Sequence, residues 1–254
     1  MFRALFHVVS FELQRSFSFA RIATWCLLWL FPTGLIATAV FSMRRAPPIE
    51  VASLLSYLLV PQVCTMLGLL LWATPAIQAE LEGKTWSYLC LRPYGKLAVL
   101  FGKYCLAVVW AGSASLISSW AIAFMLGGDA WLKLARTLSG LSVLASLSYG
   151  ALYLLIGVCI TKRAMIAALA YSLVMEAVIS LVPATINQLT ISYRLRSLLA
   201  EWMSLDRIRS RTEIFSGPES ASMNLLIVIL YTFTLLFLAA YSLLGRDFGS
   251  ETEG

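Results

Sequence analysis

The run Gly83-Lys84-Thr85 has the residue types that end a phosphate-binding loop. Such a loop also needs a glycine five positions before Gly83, where the backbone closes around the phosphates, and Gln78 stands there. The run therefore predicts no nucleotide site in this chain. We expect the chain itself to bind no cofactor.

Other groups that could do chemistry are too scattered to form a catalytic centre. His7 is the only histidine, so neither a serine hydrolase nor a histidine-rich metal enzyme has the residues it needs. The cysteines are widely spaced, which predicts neither a zinc site nor a disulfide framework. They are Cys26, Cys64, Cys90, Cys105 and Cys159. We predict that the chain is not an enzyme, and that its basic residues meet lipid and not nucleic acid.

The composition places the chain in a membrane. Of its 254 residues 60% are hydrophobic and only 13% are charged, whereas soluble domains carry about 25% charged residues. Nearly charge-free runs of about 20 residues, each long enough to cross the bilayer, predict six helical spans. The predicted spans are residues 24–43, 51–77, 104–126, 137–160, 164–182 and 223–245. Pro61 and Pro75 are expected to kink or end the second of them. The fold class is an all-α polytopic membrane protein, with residues 1–254 forming one domain.

The first 21 residues predict an amphipathic helix at the membrane surface. Phe2, Leu5, Phe6, Val9, Leu13 and Phe17 recur at spacings of three and four, and cations such as Arg3 and Arg21 lie on another face. Such a helix would lie along the headgroups, with its cations near anionic lipid. A cytosolic extension of the first span is the alternative.

The segment 78–96, between the second and third spans, predicts a short charged helix. Glu80 and Lys84 are spaced i, i+4 in the favourable order, and Pro93 ends a stretch without proline that begins at Ala76. Lys96 and Lys103 then lead into the third span, where their ammonium groups can reach the interface. A solvated loop stabilised by an ion pair is the plainer interpretation.

With these residues in view, the chain resembles the permease subunits of ABC type-2 transporters, of the six-span kind similar to copper-site maturation and sodium-extrusion permeases. The resemblance covers nearly the whole chain. The family pattern is an amphipathic N-terminal helix, then E-x-E-x-G-T after the second span, L-x-x-P, and G-K at the third span. The corresponding residues are Glu80, Glu82, Gly83, Thr85, Leu91, Pro93, Gly102 and Lys103, with one residue in place of two between Leu91 and Pro93. Lys84 departs from the pattern, because it separates Gly83 from Thr85 by one residue.

The resemblance implies a coupling helix that sits in a cleft of a separate ATP-binding-cassette ATPase subunit. That subunit would bind ATP and Mg, and a second permease copy, most simply an identical one, would complete the pathway of an exporter. Glu80 and Glu82 would contact the ATPase by charge, and Trp86, Tyr88 and Leu89 would be buried anchors. The implied coupling residues are Glu80, Glu82, Gly83, Lys84, Thr85, Trp86, Tyr88, Leu89, Arg92 and Pro93.

The expected location is the bacterial inner membrane with both termini in the cytoplasm. This orientation places ten cations inside and nine outside, so the positive-inside rule barely favours it. The first charged loop gives the stronger argument, because a coupling segment must face the cytoplasmic ATPase.

Glu176 is the one charge within the predicted spans. A carboxylate at mid-bilayer costs roughly 2.5–3.5 kcal/mol on insertion scales, so it is expected to face protein or water and not lipid. It could line a transport pathway. Equally, it could be a structural acid, hydrogen-bonded to Ser172, Ser180 or another helix.

The outer segment 184–221 carries an apolar helical stripe that includes Leu195, Leu198 and Leu199. Arg194 and Arg196 project from another face and are candidates for contact with an anionic substrate or lipid headgroups. A surface helix with solvated charges is the plainer expectation.

The sequence is also compatible with two other functions. A secondary transporter or channel would work alone, but the two halves of the chain show no convincing repeat and only one intramembrane charge. A membrane assembly protein without transport activity is the second alternative.

Overall fold

The computed structural model describes residues 17–43, 48–83, 95–128, 130–178, 190–205 and 220–246. These residues form helices and short turns, and none of them lies in a strand. The predicted interfacial helix of residues 1–21 lies largely outside the described residues. The all-helical class that the sequence predicts agrees with this part of the chain.

Helix α1 spans Phe19–Met43 and contains Pro32 in its interior. A proline has no N–H to donate, so the carbonyl of Leu28, four residues earlier, loses its usual helical partner. The Cys64 thiol of the next span donates to that carbonyl at 3.1 Å. The proline thus creates an acceptor that links the first two spans.

The second predicted span is a helix interrupted twice. Helix α2 (Ile49–Tyr57) continues into a first π-helical segment (Leu58–Cys64), and then into α3 (Thr65–Trp72). Pro61 lies inside the π-helical segment, where the absence of its N–H favours irregular hydrogen bonding. A turn at Pro75 separates α3 from the short helix α4 (Ala76–Glu82). The expected interruptions at Pro61 and Pro75 are both present.

Helices α5 (Gly95–Leu126) and α6 (Trp131–Cys159) are the longest elements. Between them, Gly127 and Gly128 have φ angles of 59° and 77°, which glycine adopts without a steric penalty. Both helices extend beyond the predicted spans 104–126 and 137–160, because a helix does not end where it leaves the hydrocarbon.

The remaining elements include two shorter pieces. Helix α7 (Ala164–Tyr171) continues into a second π-helical segment, Ser172–Val178. Helix α8 (Ile191–Met203) begins at Thr190, whose hydroxyl accepts from the Tyr193 amide, and ends at Ser204 in the left-handed conformation. Helix α9 spans Ala221–Leu244.

Among the described residues, five helices are long and apolar enough to cross a membrane. They are Phe19–Ser42, Ile49–Glu82, Gly95–Leu126, Trp131–Cys159 and Ala221–Leu244. The fifth predicted span, 164–182, corresponds to the shorter apolar helix Ala164–Glu176, and residues 179–182 lie outside the described part. Five of the six predicted spans therefore have a helix of spanning length.

Helix α6 lies at the centre of the bundle. In its most apolar stretch 72% of residues are buried, against 22% for α1 and 17% for α9. Small residues allow α5 to approach α6 closely, and the hydroxyls of Ser119 and Ser142 hydrogen-bond across that contact at 3.2 Å. Helices α1 and α9 consequently present most of their apolar surface outward.

Candidate functional site

In the described part of the chain, contacts around charged residues join three or more helical elements in two places. The first, called here the coupling end, comprises α4, the start of α5 and the last turns of α6 and α9. Of the predicted coupling residues, Glu80, Glu82 and Gly83 are described, at the end of α4. The others lie outside the described residues: Lys84, Thr85, Trp86, Tyr88, Leu89, Arg92 and Pro93.

Helix α4 is tied to α5 by an ion pair. The Lys103 ammonium lies 2.6 Å from the Glu80 carboxylate, with the side chains only 12% and 8% exposed. Glu80 therefore uses its charge within the chain, and an ATPase contact made by Glu80 stays a prediction. Glu82, one turn away from Gln78, is exposed and accepts a 2.7 Å hydrogen bond from the Gln78 amide.

A close backbone approach ties α4 to α6. A methyl group added at Gly157 would lie under 3.0 Å from the carbonyl oxygen of Thr74, in the turn before α4. Only glycine allows the turn to come this near to the helix. The position of α4 is thus set by α6 as well as by α5.

We expect Gly157→Ala to lower the free energy of unfolding by about 1–3 kcal/mol, because the added methyl must push the Thr74 carbonyl away. The thermal unfolding midpoint in a single detergent measures the loss. Gly34→Ala is the matched control: it is also a helical glycine, but nothing lies within 4 Å of the added methyl. The control is expected to be neutral or slightly stabilising, as alanine is the better helix former. Equal midpoints for the two variants would contradict the close approach.

Arg246 joins the ends of α6 and α9. Its guanidinium donates to the carbonyls of Val158 and Cys159 at 2.9 and 2.8 Å, where the last turn of α6 lacks intrahelical donors. The Lys96 ammonium at the start of α5 donates to the Arg246 carbonyl at 3.2 Å. The coupling end is therefore one connected structure, built from four helices.

The second place, called here the Glu176 cluster, lies where the two π-helical segments meet α6 and α8. Glu176 is fully buried, so it faces protein and not lipid, as the sequence predicted. Its Oε2 accepts from the Tyr149 hydroxyl of α6 and from the Ser192 amide of α8, both at 3.0 Å. The Tyr149 hydroxyl also lies 2.9 Å from the Ser192 hydroxyl.

Gln62 of the first π-helical segment and Tyr57, the last residue of α2, also donate hydrogen bonds to this cluster. The Gln62 side-chain amide donates to the Glu176 carbonyl at 3.4 Å, and the Tyr57 hydroxyl donates to the Ser192 carbonyl at 2.9 Å. The carboxylate sits at the N-terminus of α8, where unpaired amides and the helix dipole favour negative charge. The cluster therefore joins the two π-helical segments and the start of α8 through Glu176, whose backbone carbonyl accepts from Gln62 and whose carboxylate accepts from Ser192.

This arrangement bears on the two interpretations of Glu176. The carboxylate is hydrogen-bonded to other helices, as the structural interpretation requires, and its partners are Tyr149 and Ser192. Ser172 bonds to the hydroxyl of Tyr153 at 2.5 Å, and Ser180 lies outside the described residues. A role in a transport pathway stays a prediction.

Arg194 differs from the expectation of a solvated surface helix. It is buried, and its guanidinium donates to the side-chain oxygen of Asn224 in α9 at 2.8 Å. The Asn224 amide in turn donates to the Ser197 hydroxyl at 3.2 Å. Arg196 is partly exposed. The predicted apolar stripe is buried at Leu195, Leu198 and Leu199, so α8 packs within the bundle.

Several residues of these sites were not identified from the sequence. Tyr57, Tyr149 and Asn224 lie in apolar runs of the sequence. A hydroxyl or amide buried in such a run needs a hydrogen-bond partner, so these polar residues could have been identified as sites of contact between helices. The pairing of Glu80 with Lys103 has no such local signal. Among the described residues, no group of three or more histidine, cysteine, aspartate or glutamate side chains could hold a metal ion.

The fold defines a multi-pass helical membrane protein, from its several long apolar helices. Comparisons of the chain with protein-family models, curated proteins and solved structures found no match.

Proposed function

We propose that the chain is the membrane subunit of an ATP-driven exporter, coupled to a separate ATP-binding-cassette ATPase subunit. The observation that carries the proposal is the coupling end. Helix α4 forms the end of the second span and is held by the Glu80–Lys103 pair and by the close approach of Thr74 to Gly157. A force applied to α4 from outside the membrane would therefore reach α5 and α6.

The second span contains a segment at which a force on α4 could tilt one part of the span relative to the other. The first π-helical segment and Pro61 interrupt the span about midway, and π-helical turns frequently occur at functional positions. A push on α4 would rotate α3 and α4 together about this segment. The motion would be a hinge of a few residues, while the central helix α6 stays in place.

The docking contacts would come from the exposed end of α4 and the segment that follows it. Glu82 is exposed there, and Trp86, Tyr88 and Leu89 would supply the apolar anchors of the interface. Glu80 would act indirectly, by holding α4 against Lys103. ATP and Mg would be bound by the ATPase subunit.

A second, identical copy would complete the pathway. Helices α1 and α9 expose most of their apolar surface, including Phe31, Phe233 and Phe237, and this surface must be covered by lipid or by protein. A homodimer in the bacterial inner membrane, with both termini in the cytoplasm, is the assembly that we propose.

Co-purification and vesicle transport test this function. A tagged chain from its native membrane is expected to bring down a P-loop ATPase, and Glu82→Arg to lower the yield of that ATPase severalfold by reversing an exposed charge. Lys133→Glu is the control, because Lys133 is an exposed cation at the far end of α6. Transport that persists without ATP, in a chain that retains no ATPase, would overturn the proposal.

One observation favours a second candidate, a secondary transporter. Carriers of that class bind substrate or ions where interrupted helices meet near the bilayer centre, and the Glu176 cluster joins two interrupted helices. Such a carrier would be driven by an ion gradient. Collapse of the gradient with an ionophore at constant ATP would stop it but leave an ATP-driven exporter active.

A further inference from the structure

A cavity of about 90 Å³ opens between α1, the junction of α3 with α4, and α5. Its lining includes two cations, Arg21 and Lys103, and two tryptophans, Trp72 and Trp110. Its volume is well below the roughly 300–1,000 Å³ of pockets that enclose a drug-sized ligand. The space suits a small charged group, with the rest of a molecule lying outside.

We propose that this cavity binds the headgroup of an anionic phospholipid. Arg21 and Lys103 come from different helices, yet each is the last charge before a long uncharged run, residues 22–43 and 104–126. Each run is long enough to cross about 30 Å of hydrocarbon. Both cations therefore lie at the level of the headgroups, on the same membrane surface.

Each of the two cations that line the cavity has more than one hydrogen to donate. The Lys103 ammonium has three hydrogens, so it can keep the Glu80 carboxylate and still donate to a phosphate oxygen. The Arg21 guanidinium has five N–H hydrogens and can donate two of them in parallel to a phosphate. The cavity thus presents the N–H groups of two cationic side chains.

The surroundings favour a lipid over a free anion. Trp110 is the centre of an aromatic group, with ring centroids of Phe17, Trp25 and Trp72 at 5.6, 6.3 and 6.0 Å. Tryptophan concentrates at the membrane interface, where its ring meets both headgroups and chains. Leu71, which lines the cavity, is 39% exposed, so an acyl chain would find apolar surface there.

The proposal can be tested on the purified full chain in bilayer discs of equal parts phosphatidylglycerol and phosphatidylcholine. Lipid that stays bound after gentle detergent transfer is counted by native mass spectrometry. Arg21→Gln is expected to weaken phosphatidylglycerol binding about fivefold, the contribution of one cation near an anionic surface. Phosphatidylcholine binding is expected to be unchanged. This test does not depend on the proposed ATPase partner.

Two comparisons make the result decisive. Arg136→Gln removes an exposed cation at the opposite end of α6 and is expected to retain phosphatidylglycerol like the unaltered chain. Lys103→Gln is expected to weaken binding as well, but it also breaks the Glu80 contact, so Arg21→Gln is the primary variant. Equal retention by Arg21→Gln and Arg136→Gln would overturn the proposal. Thermal stabilisation by inorganic phosphate as large as that by phosphatidylglycerol would overturn the lipid assignment in favour of a free anion.

Discussion

Lys103→Gln is expected to lower the free energy of unfolding by about 3 kcal/mol, because it removes the cation that lies 2.6 Å from the largely buried Glu80 carboxylate. Removal of one partner from a buried pair costs roughly 3–5 kcal/mol, and the slight exposure of this pair places the effect near the lower end. The thermal unfolding midpoint of the purified chain in one detergent measures the loss.

Glu80→Gln combined with Lys103→Gln completes the test. The double variant replaces the ion pair by two neutral amides that can hydrogen-bond to each other, so it is expected to be more stable than Lys103→Gln alone. Glu82→Gln, an exposed site on the same helix, is the control and is expected to change stability by less than about 0.5 kcal/mol. Losses that simply add in the double variant would show that Glu80 and Lys103 do not stabilise each other.

Glu176→Leu is expected to be comparably destabilising, since it removes the acceptor of two buried donors. The Tyr149 hydroxyl and the Ser192 amide would each lose a 3.0 Å hydrogen bond, and a buried unsatisfied donor costs about 1–3 kcal/mol. The start of α8 would also lose the negative charge that its amides favour. The unfolding midpoint and the protease sensitivity of α8 report the two effects separately.

Glu176→Gln is the matched variant for this cluster. Glutamine keeps one side-chain oxygen that can accept from Tyr149 and Ser192, so it is expected to lose less stability than leucine does. If transport survives in Glu176→Gln while stability falls, the carboxylate is structural. Leucine and glutamine variants of equal stability would contradict the role of Oε2 as the shared acceptor.

The helices could be predicted from the sequence wherever their formation depends only on residues close together in the chain. An uncharged run of about 20 residues must be helical in hydrocarbon, because no water satisfies its amides. The interruptions at Pro61 and Pro75 were also predictable, because a proline has no N–H to donate to the helix. The helix bounds were less accurate: α5 begins at Gly95, before the predicted membrane entry, because helical hydrogen bonding continues through Lys96 and Lys103.

Helix α8 shows where local pattern is insufficient. Its apolar stripe was recognised, but the same pattern fits a helix on the membrane surface and a helix inside the bundle. The buried pair of Arg194 with Asn224 distinguishes them, and Asn224 belongs to a helix that begins only at residue 221. A charge with a buried partner in another helix cannot be told from a solvated charge by spacing along one helix.

The sequence by itself determined that this chain is a helical membrane protein, where its apolar helices lie, and that Glu176 must face away from lipid. These conclusions depend on the length of each apolar run and on the energetic cost of placing a charge in hydrocarbon. Both can be evaluated for each segment without knowing its neighbours. Only the tertiary structure decided that Glu80 pairs with Lys103, that Glu176 accepts from Tyr149 and Ser192, and that Gly157 admits the Thr74 carbonyl. The physical reason is that a buried polar group takes its partner from whichever helix packs beside it, and that neighbour is set by the whole bundle.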